Sequence, residues 1–201
     1  MRTKKNTSKQ LQRQTHTTNR SFEFFGETEL NKQIGFPREQ WLIALVKELI
    51  DNGLDGSEAT GVKPQIIINV QQDSLSVINN GSFISDKTIK KALNYMVKVS
   101  DKTYYVSPTR GQQGNGLKCL FAAGYVANNY GRVVIETADK VHTIEITTNT
   151  IAQVPDIKHV ITKRKAEKNV KITLFYKNAA SLLRNEKGSS FYKISIEDLV
   201  R

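Results

Sequence analysis

Cysteine is all but absent: Cys119 stands alone among 201 residues. One thiol excludes an internal disulfide framework, and with only three histidines a cysteine–histidine zinc site is excluded as well. No apolar run approaches the roughly 20 residues of a membrane span. The N-terminus also lacks the apolar segment of a secretory signal. The expectation is a soluble, intracellular protein with no membrane partner, cytoplasmic or, in a prokaryote, nucleoid-associated. Acid is missing from the first twenty positions, which hold Arg2, Lys4, Lys5, Lys9, Arg13 and Arg20 without one Asp or Glu. Those six account for more than half of the net charge of +11. Residues 1–20 are also poor in large apolar side chains, so they read as a disordered basic arm, either a solvated tail or a contact for nucleic-acid phosphates. The other excess charges are an ordinary surface complement, and residues 21–201 are enough for one domain with a substantial core.

Order is expected from the aromatic anchors Phe22, Phe24 and Phe25 onward. Pro37 stands where a first helical turn begins, and Glu39 to about Asp55 forms an amphipathic helix ended by Gly61 and Pro64. "QIIINV" and "SLSVIN" read as strands joined by a turn at "QQDS". "DKTIKKALNYMV" has helical spacing, with Ile89, Ala92, Leu93 and Met96 on one face. A polar segment, "KVSDKTYYVSPTR", and a glycine-rich turn, "GQQGNG", lead into a small-residue helix, "LKCLFAAGYVANN". Beyond Arg132 the period falls to two in "RVVIETA", "VHTIEITTN" and "NVKITLFY", as in antiparallel strands. The basic stretch "KHVITKRKAEKN" reads as a solvated hairpin between two of them. The fold class is α+β, a two-layer sandwich with helices on one face of a mixed, mostly antiparallel sheet.

Three stretches carry chemistry. In "KELIDNGLDG", Glu48 and Asn52 are four apart and share a helix face. A carboxylate there can orient and deprotonate a water, and the amide oxygen is a hard neutral ligand suited to Mg²⁺. On an ordinary helix the pair is only a solvated face. In "RGQQGNGLK", three glycines precede a helix, whose first N–H groups form a natural phosphate site, although such a loop is also often just a tight turn. In "SVINNGSFIS", a strand ends in Asn-Asn-Gly, either a simple turn or an amide and a bare backbone that face a flat ligand.

In this order the three resemble the GHKL ATPases, with their Bergerat ATP-binding fold, and within them the B subunits of type IIB DNA topoisomerases (topoisomerase VI). The carrying residues are "EFF…GF", "ELIDNGLDGSEATGVKP", "VINNGSFIS" and "RGQQGNGL". The resemblance implies ATP and Mg²⁺ as ligands, Glu48 as the base for the attacking water and Asn52 as the metal ligand, with Asp51 and Asp55 in supporting positions. It implies a phosphate cradle from Arg110, Gly111, Gln112, Gln113, Gly114, Asn115, Gly116 and Leu117. Lys118 would add charge near the phosphates or point to solvent. Thr173 would match the family's last motif, a strand hydroxyl near the adenine, and segment 84–110 would be a lid, with Tyr104 and Tyr105 as contacts. One motif departs from the pattern: the family's adenine-binding Asp is replaced by Asn79. Gly81 is retained, and Phe83 stands in place of a second glycine, to crowd the pocket or to join the core. Asn79 is expected to accept a hydrogen bond from the adenine amino group through its carbonyl oxygen. The resemblance further implies a homodimer formed on nucleotide binding, DNA, and a DNA-cleaving partner subunit. "YKISIEDLVR" resembles the start of the helix before the family's transducer domain, so the chain is expected to be truncated there and to bind nucleotide better than it hydrolyses it. The alternatives are a degenerate relative that senses nucleotide or is purely structural, and a mismatch-repair, chaperone-type or kinase-type member of the same class.

Overall fold

The computed structural model describes residues 24–95, 115–149, 151 and 154–183. The basic arm, Met96, Tyr104, Tyr105, most of the proposed lid and Arg110 to Gly114 lie outside the described residues.

A short helix, α1 (Glu27–Ile34), ends at Gly35, whose φ of 82° is left-handed. Pro37 precedes a single 3-10 turn at Arg38–Gln40, and α2 (Trp41–Thr60) follows. The helix therefore starts two residues later and ends five later than the amphipathic pattern suggests. Its end is set by Gly61, whose left-handed φ of 66° lets its N–H bond back to Ser57 and Glu58. Trp41 ties the first two helices together: its indole N–H, 2.9 Å from Asn31 Oδ1 and 3.1 Å from the Phe36 carbonyl, donates to both. Two strands come next, β1 (Ile66–Gln71) and β2 (Ser74–Asn79), then α3 (Asp86–Ala92), capped by the Ser85 hydroxyl. After α4 (Gly116–Asn128) the chain runs through β3 (Gly131–Thr137), β4 (Lys140–Asn149), β5 (Val154–Lys163) and β6 (Val170–Phe175), and closes on a one-turn α5 (Ala179–Leu182).

The strands form one six-stranded open sheet in the order β1-β2-β6-β3-β4-β5. Every pairing among the described strands is antiparallel, the limiting case of the mixed, mostly antiparallel sheet expected. Leu75, Val77, Val133, Ile135, Ile144, Ile146, Ile172 and Leu174 alternate onto one face, where the inner sides of α2 and α4 cover them. The first half of the stretch expected as a basic hairpin is instead strand: Lys158–Lys163 belongs to β5, which pairs along the full length of β4. Its β-branched residues favour a strand, and its lysines occupy an edge, where charge discourages further pairing.

Candidate functional site

Two close approaches between α2 and its neighbours define the site. The first is at the start of α4. A methyl group added at Gly116 would stand 2.5 Å from Glu48 Oε2, so this glycine lets the half-buried carboxylate lie against the first turn of a 13-residue helix. The unbonded N–H groups and positive dipole end of that helix face the same place, which favours negative charge there. The carboxylate also acts on its surroundings: the thiol of Cys119, in the first turn of α4, is pushed up to about 12, first by burial and then by Glu48 and Glu29. Asn115 fixes the entry to α4 by donating from Nδ2 to Gln33 Oε1 at 2.9 Å, which ties it to α1. Leu117 packs against the core.

The second approach lies five residues along α2, about 7.5 Å by helical rise. Methyl groups added at Gly53 and Gly81 would meet Asn79 Cβ at 2.9 Å and the backbone of Gly56 and Ser57 at 2.8 Å, respectively. The loop after β2 is stapled to the helix by the Ser82 N–H, which donates to the Gly56 carbonyl at 3.1 Å. Asn79 is buried, 7% exposed, and its Oδ1 accepts the Gly81 N–H at 3.1 Å. One of the two lone pairs of that oxygen is thus engaged within the chain, which the sequence did not reveal. The adjacent Asn80 is occupied at both ends, since its Oδ1 accepts from Gln65 N–H at 2.8 Å and its Nδ2 donates to the Lys63 carbonyl at 3.0 Å.

Asn52 and Asp55 are half-buried on the stretch of α2 between and beyond the two approaches, and Asp51 is held by Lys47 at 2.7 Å. The fold therefore brings Gly116 against Glu48, one helical turn before Asn52, and holds Asn79 and Gly81 against Gly53, Gly56 and Ser57 further along α2. It does not bring Thr173 to them. Thr173 pairs with Ser76 and Val134 and alternates away from Ile172 and Leu174, onto the sheet face opposite the helices. The residue directly across from Asn79 is Val170, which is buried on the helix side. Counting the strand's two-residue period back from Leu174 would have found it. Lys118 does not point to solvent. It is buried, donates from Nζ to the Asn94 carbonyl at 2.8 Å, and lies about 6 Å from the Phe24 and Tyr95 rings, with burial lowering its pKa. Phe83 is 52% exposed, which removes it from the core.

Among the described residues no group of three or more His, Cys, Asp or Glu could cage a metal. The donor set, one carboxylate and one amide oxygen beside a helix N-terminus, fits an ion that takes most of its ligands from phosphate and water, as Mg²⁺ does. No described helix is long and apolar enough to cross a membrane.

No protein-family profile matches the chain. Among curated proteins it is similar to the B subunit of the type 2 DNA topoisomerase 6 of Methanosarcina acetivorans, 35% identical over 147 residues, which cover 67% of this chain and 23% of that protein. The corresponding protein of Methanosarcina barkeri is 34% identical over the same length and coverage. That of Natronomonas pharaonis is 30% identical over 146 residues, 68% of this chain and 18% of the relative. The matched segment spans less than a quarter of each of these relatives.

Proposed function

Because this chain is a GHKL domain of the kind found in topoisomerase VI B subunits, we propose that it binds ATP with Mg²⁺ and hydrolyses it as a gate in DNA processing. The observation that carries the reading is the contact of Glu48 with Gly116, which puts a carboxylate at the N-terminus of α4. The helix N-terminus receives the phosphates, with Gly111, Gln112, Gln113 and Gly114 adding N–H groups and Arg110 a charge. Glu48 orients a water on the terminal phosphate and takes its proton. Asn52 holds the metal through its amide oxygen, and the bound Mg²⁺ neutralises charge on the phosphates. Asp55 supports the end of the same helical face. Two copies dimerise on binding nucleotide, and the assembly works on DNA with a DNA-cleaving partner subunit.

Calorimetric titration of the chain with ATP, with and without Mg²⁺, tests this. Wild type should bind only weakly without the metal, and Asn52→Ala should lose most of the metal-dependent gain. Glu48→Gln should keep binding within about threefold and lower any turnover by 10²-fold or more, the usual scale for a general base. Absence of any affinity at millimolar ATP would sink the reading. A domain that binds nucleotide without turnover is the second reading, motivated by Asn79 and Phe83, which stand where the family pattern has an Asp and a second glycine.

A further inference from the structure

The two edges of the sheet are built differently. At one edge, β5 carries Pro155, Asp156, Lys158, His159 and Lys163, and charge and proline on an edge strand discourage pairing with another chain. At the other, β1 reads "IIINVQ", with no charge, proline or glycine. Ile66, Ile68 and Val70 pack against the core, and Ile67, on the opposite face, is 56% exposed. The backbone of this edge is open as well. The Gln65 N–H donates to Asn80 Oδ1, on the β2 side, so by the alternation of an antiparallel ladder Ile66, Ile68 and Val70 turn their N–H and C=O groups outward. Among the described residues no strand takes them up.

We infer that β1 pairs with β1 of a second copy of this chain, antiparallel about a two-fold axis at Ile68. Directly opposite side chains must share a face, so the axis falls on a residue. At Ile68 it sets Ile66 opposite Val70, Ile68 opposite itself and Val70 opposite Ile66. These are the residues with outward backbone groups, and each pair exchanges two hydrogen bonds, about six in all. The same residues extend the apolar layer beneath the helices across the seam. On the other face Ile67 meets Asn69, and past the strand ends the exposed Lys63 stands opposite the exposed Asp73, so the charges that flank the seam attract. The neighbouring registers are poorer. An axis at Ile67 sets Val70 opposite Pro64, which has no N–H, and one at Asn69 sets Ile66 opposite Gln72, in the turn beyond the strand. The pairing closes on itself by symmetry and leaves only the guarded β5 edges open. It shares no residue with the approach of Gly116 to Glu48 and needs no nucleotide, which separates it from the nucleotide-driven dimer proposed above.

Analytical ultracentrifugation of the whole chain without nucleotide tests this. Wild type should sediment as a dimer in equilibrium with monomer. Ile67→Lys, which charges an exposed position of the edge, should weaken the dimer roughly tenfold or more, and Ile161→Lys on the β5 edge should leave it unchanged. Oxidation of cysteine variants reads the register. Ile67 of one copy and Asn69 of the other form a non-hydrogen-bonded pair with Cα atoms about 4.5 Å apart, within disulfide range, whereas the two copies of either residue stand about 8 Å apart. A mixture of Ile67→Cys and Asn69→Cys chains should therefore cross-link, and neither variant alone should do so, since Cys119 is buried. A wild-type chain that stays monomeric at submillimolar concentration overturns the inference. A dimer that forms only with ATP overturns it too, while leaving the nucleotide reading standing. So does a dimer that withstands Ile67→Lys, or cross-links between the wrong pairs. The wild-type mass and the cysteine mixture, with both changes at exposed positions, hold the test open if Ile67→Lys fails to fold.

Discussion

Gly116 and Gly81 look alike in sequence but are required for different reasons. At Gly116 the obstacle to a side chain is Glu48 Oε2, the far end of a flexible side chain that can swing away. At Gly81 it is the Gly56 carbonyl carbon and the Ser57 amide nitrogen, both at 2.8 Å and both backbone inside a helix. An interior cannot easily yield to such a clash, so Gly81→Ala should lower unfolding free energy by about 1–3 kcal/mol. Gly116→Ala should cost much less stability and act instead on the position of the Glu48 carboxylate. Urea denaturation of the two variants beside wild type measures this. Equal midpoints for both variants would mean that the strand-end loop is loosely held.

Among elements, the junction of α3 with the far edge of the sheet carries the clearest pH dependence. His142 on β4 is fully buried on the helix side, and its Nδ1 is 2.9 Å from Nε2 of His159 on β5, with the two rings stacked. Its Nε2 is 3.5 Å from Asp86 Oδ1 at the start of α3, and Asp86 is bonded to Lys140 at 2.6 Å. Lys90 adds another positive charge to the same corner. Burial, with His159 next, holds His142 below its ordinary value of 6.5, and burial, with Lys90 next, does the same for His159. Asp86 opposes both shifts without cancelling them. The unfolded chain thus binds protons that the native pair refuses, so this contribution is complete above pH 6.5 and is lost as pH falls through the lowered native values. The melting temperature should be lower at pH 5.5 than at pH 7.5 by a few degrees, the scale of a single perturbed group. His142→Phe should flatten the difference, and an undiminished slope in that variant would assign it to other groups. None of this junction was legible in advance, because β5 itself was not. In "KHVITKRK" the charges of an edge strand resemble those of a loop, and only pairing along β4 shows the difference. The elements with a strong period, α2, β1, β2, α4 and β4, were legible, because apolar spacing decides their type. The shared helix face of Glu48 and Asn52 follows from the helical repeat, whereas the approach of Gly116 to Glu48 shows only in the fold. The phase of Thr173 and the internal bond of Asn79 were not legible, because each depends on which partner the folded chain supplies.

Over the whole molecule, charge is divided between a segment that neutralises itself and one that cannot. The basic stretch around β5 has acids close by: Arg164 is 2.6 Å from Glu136 and also pairs with Glu167, Lys171 is 3.1 Å from Glu136, and Lys158 is 3.5 Å from Glu145. Residues 1–20 carry six cations and no acid to offset them. If the domain works beside DNA, the arm rather than the strand is therefore the element suited to phosphates. Each phosphate neutralised contributes about 0.9 to the slope of log affinity against log salt on duplex DNA, so six contacts would contribute about 5. Deletion of residues 1–20 should accordingly reduce the measured salt slope by up to about 5 while leaving nucleotide affinity unchanged. Anisotropy titrations of labelled duplex between 50 and 200 mM salt span the range in which such a change is large. A slope that survives the deletion would make the arm a solvated tail. The duplex would then have to be held by cations the folded domain keeps exposed, among which Lys158, with a side chain 71% exposed despite its pairing with Glu145, is the first to substitute.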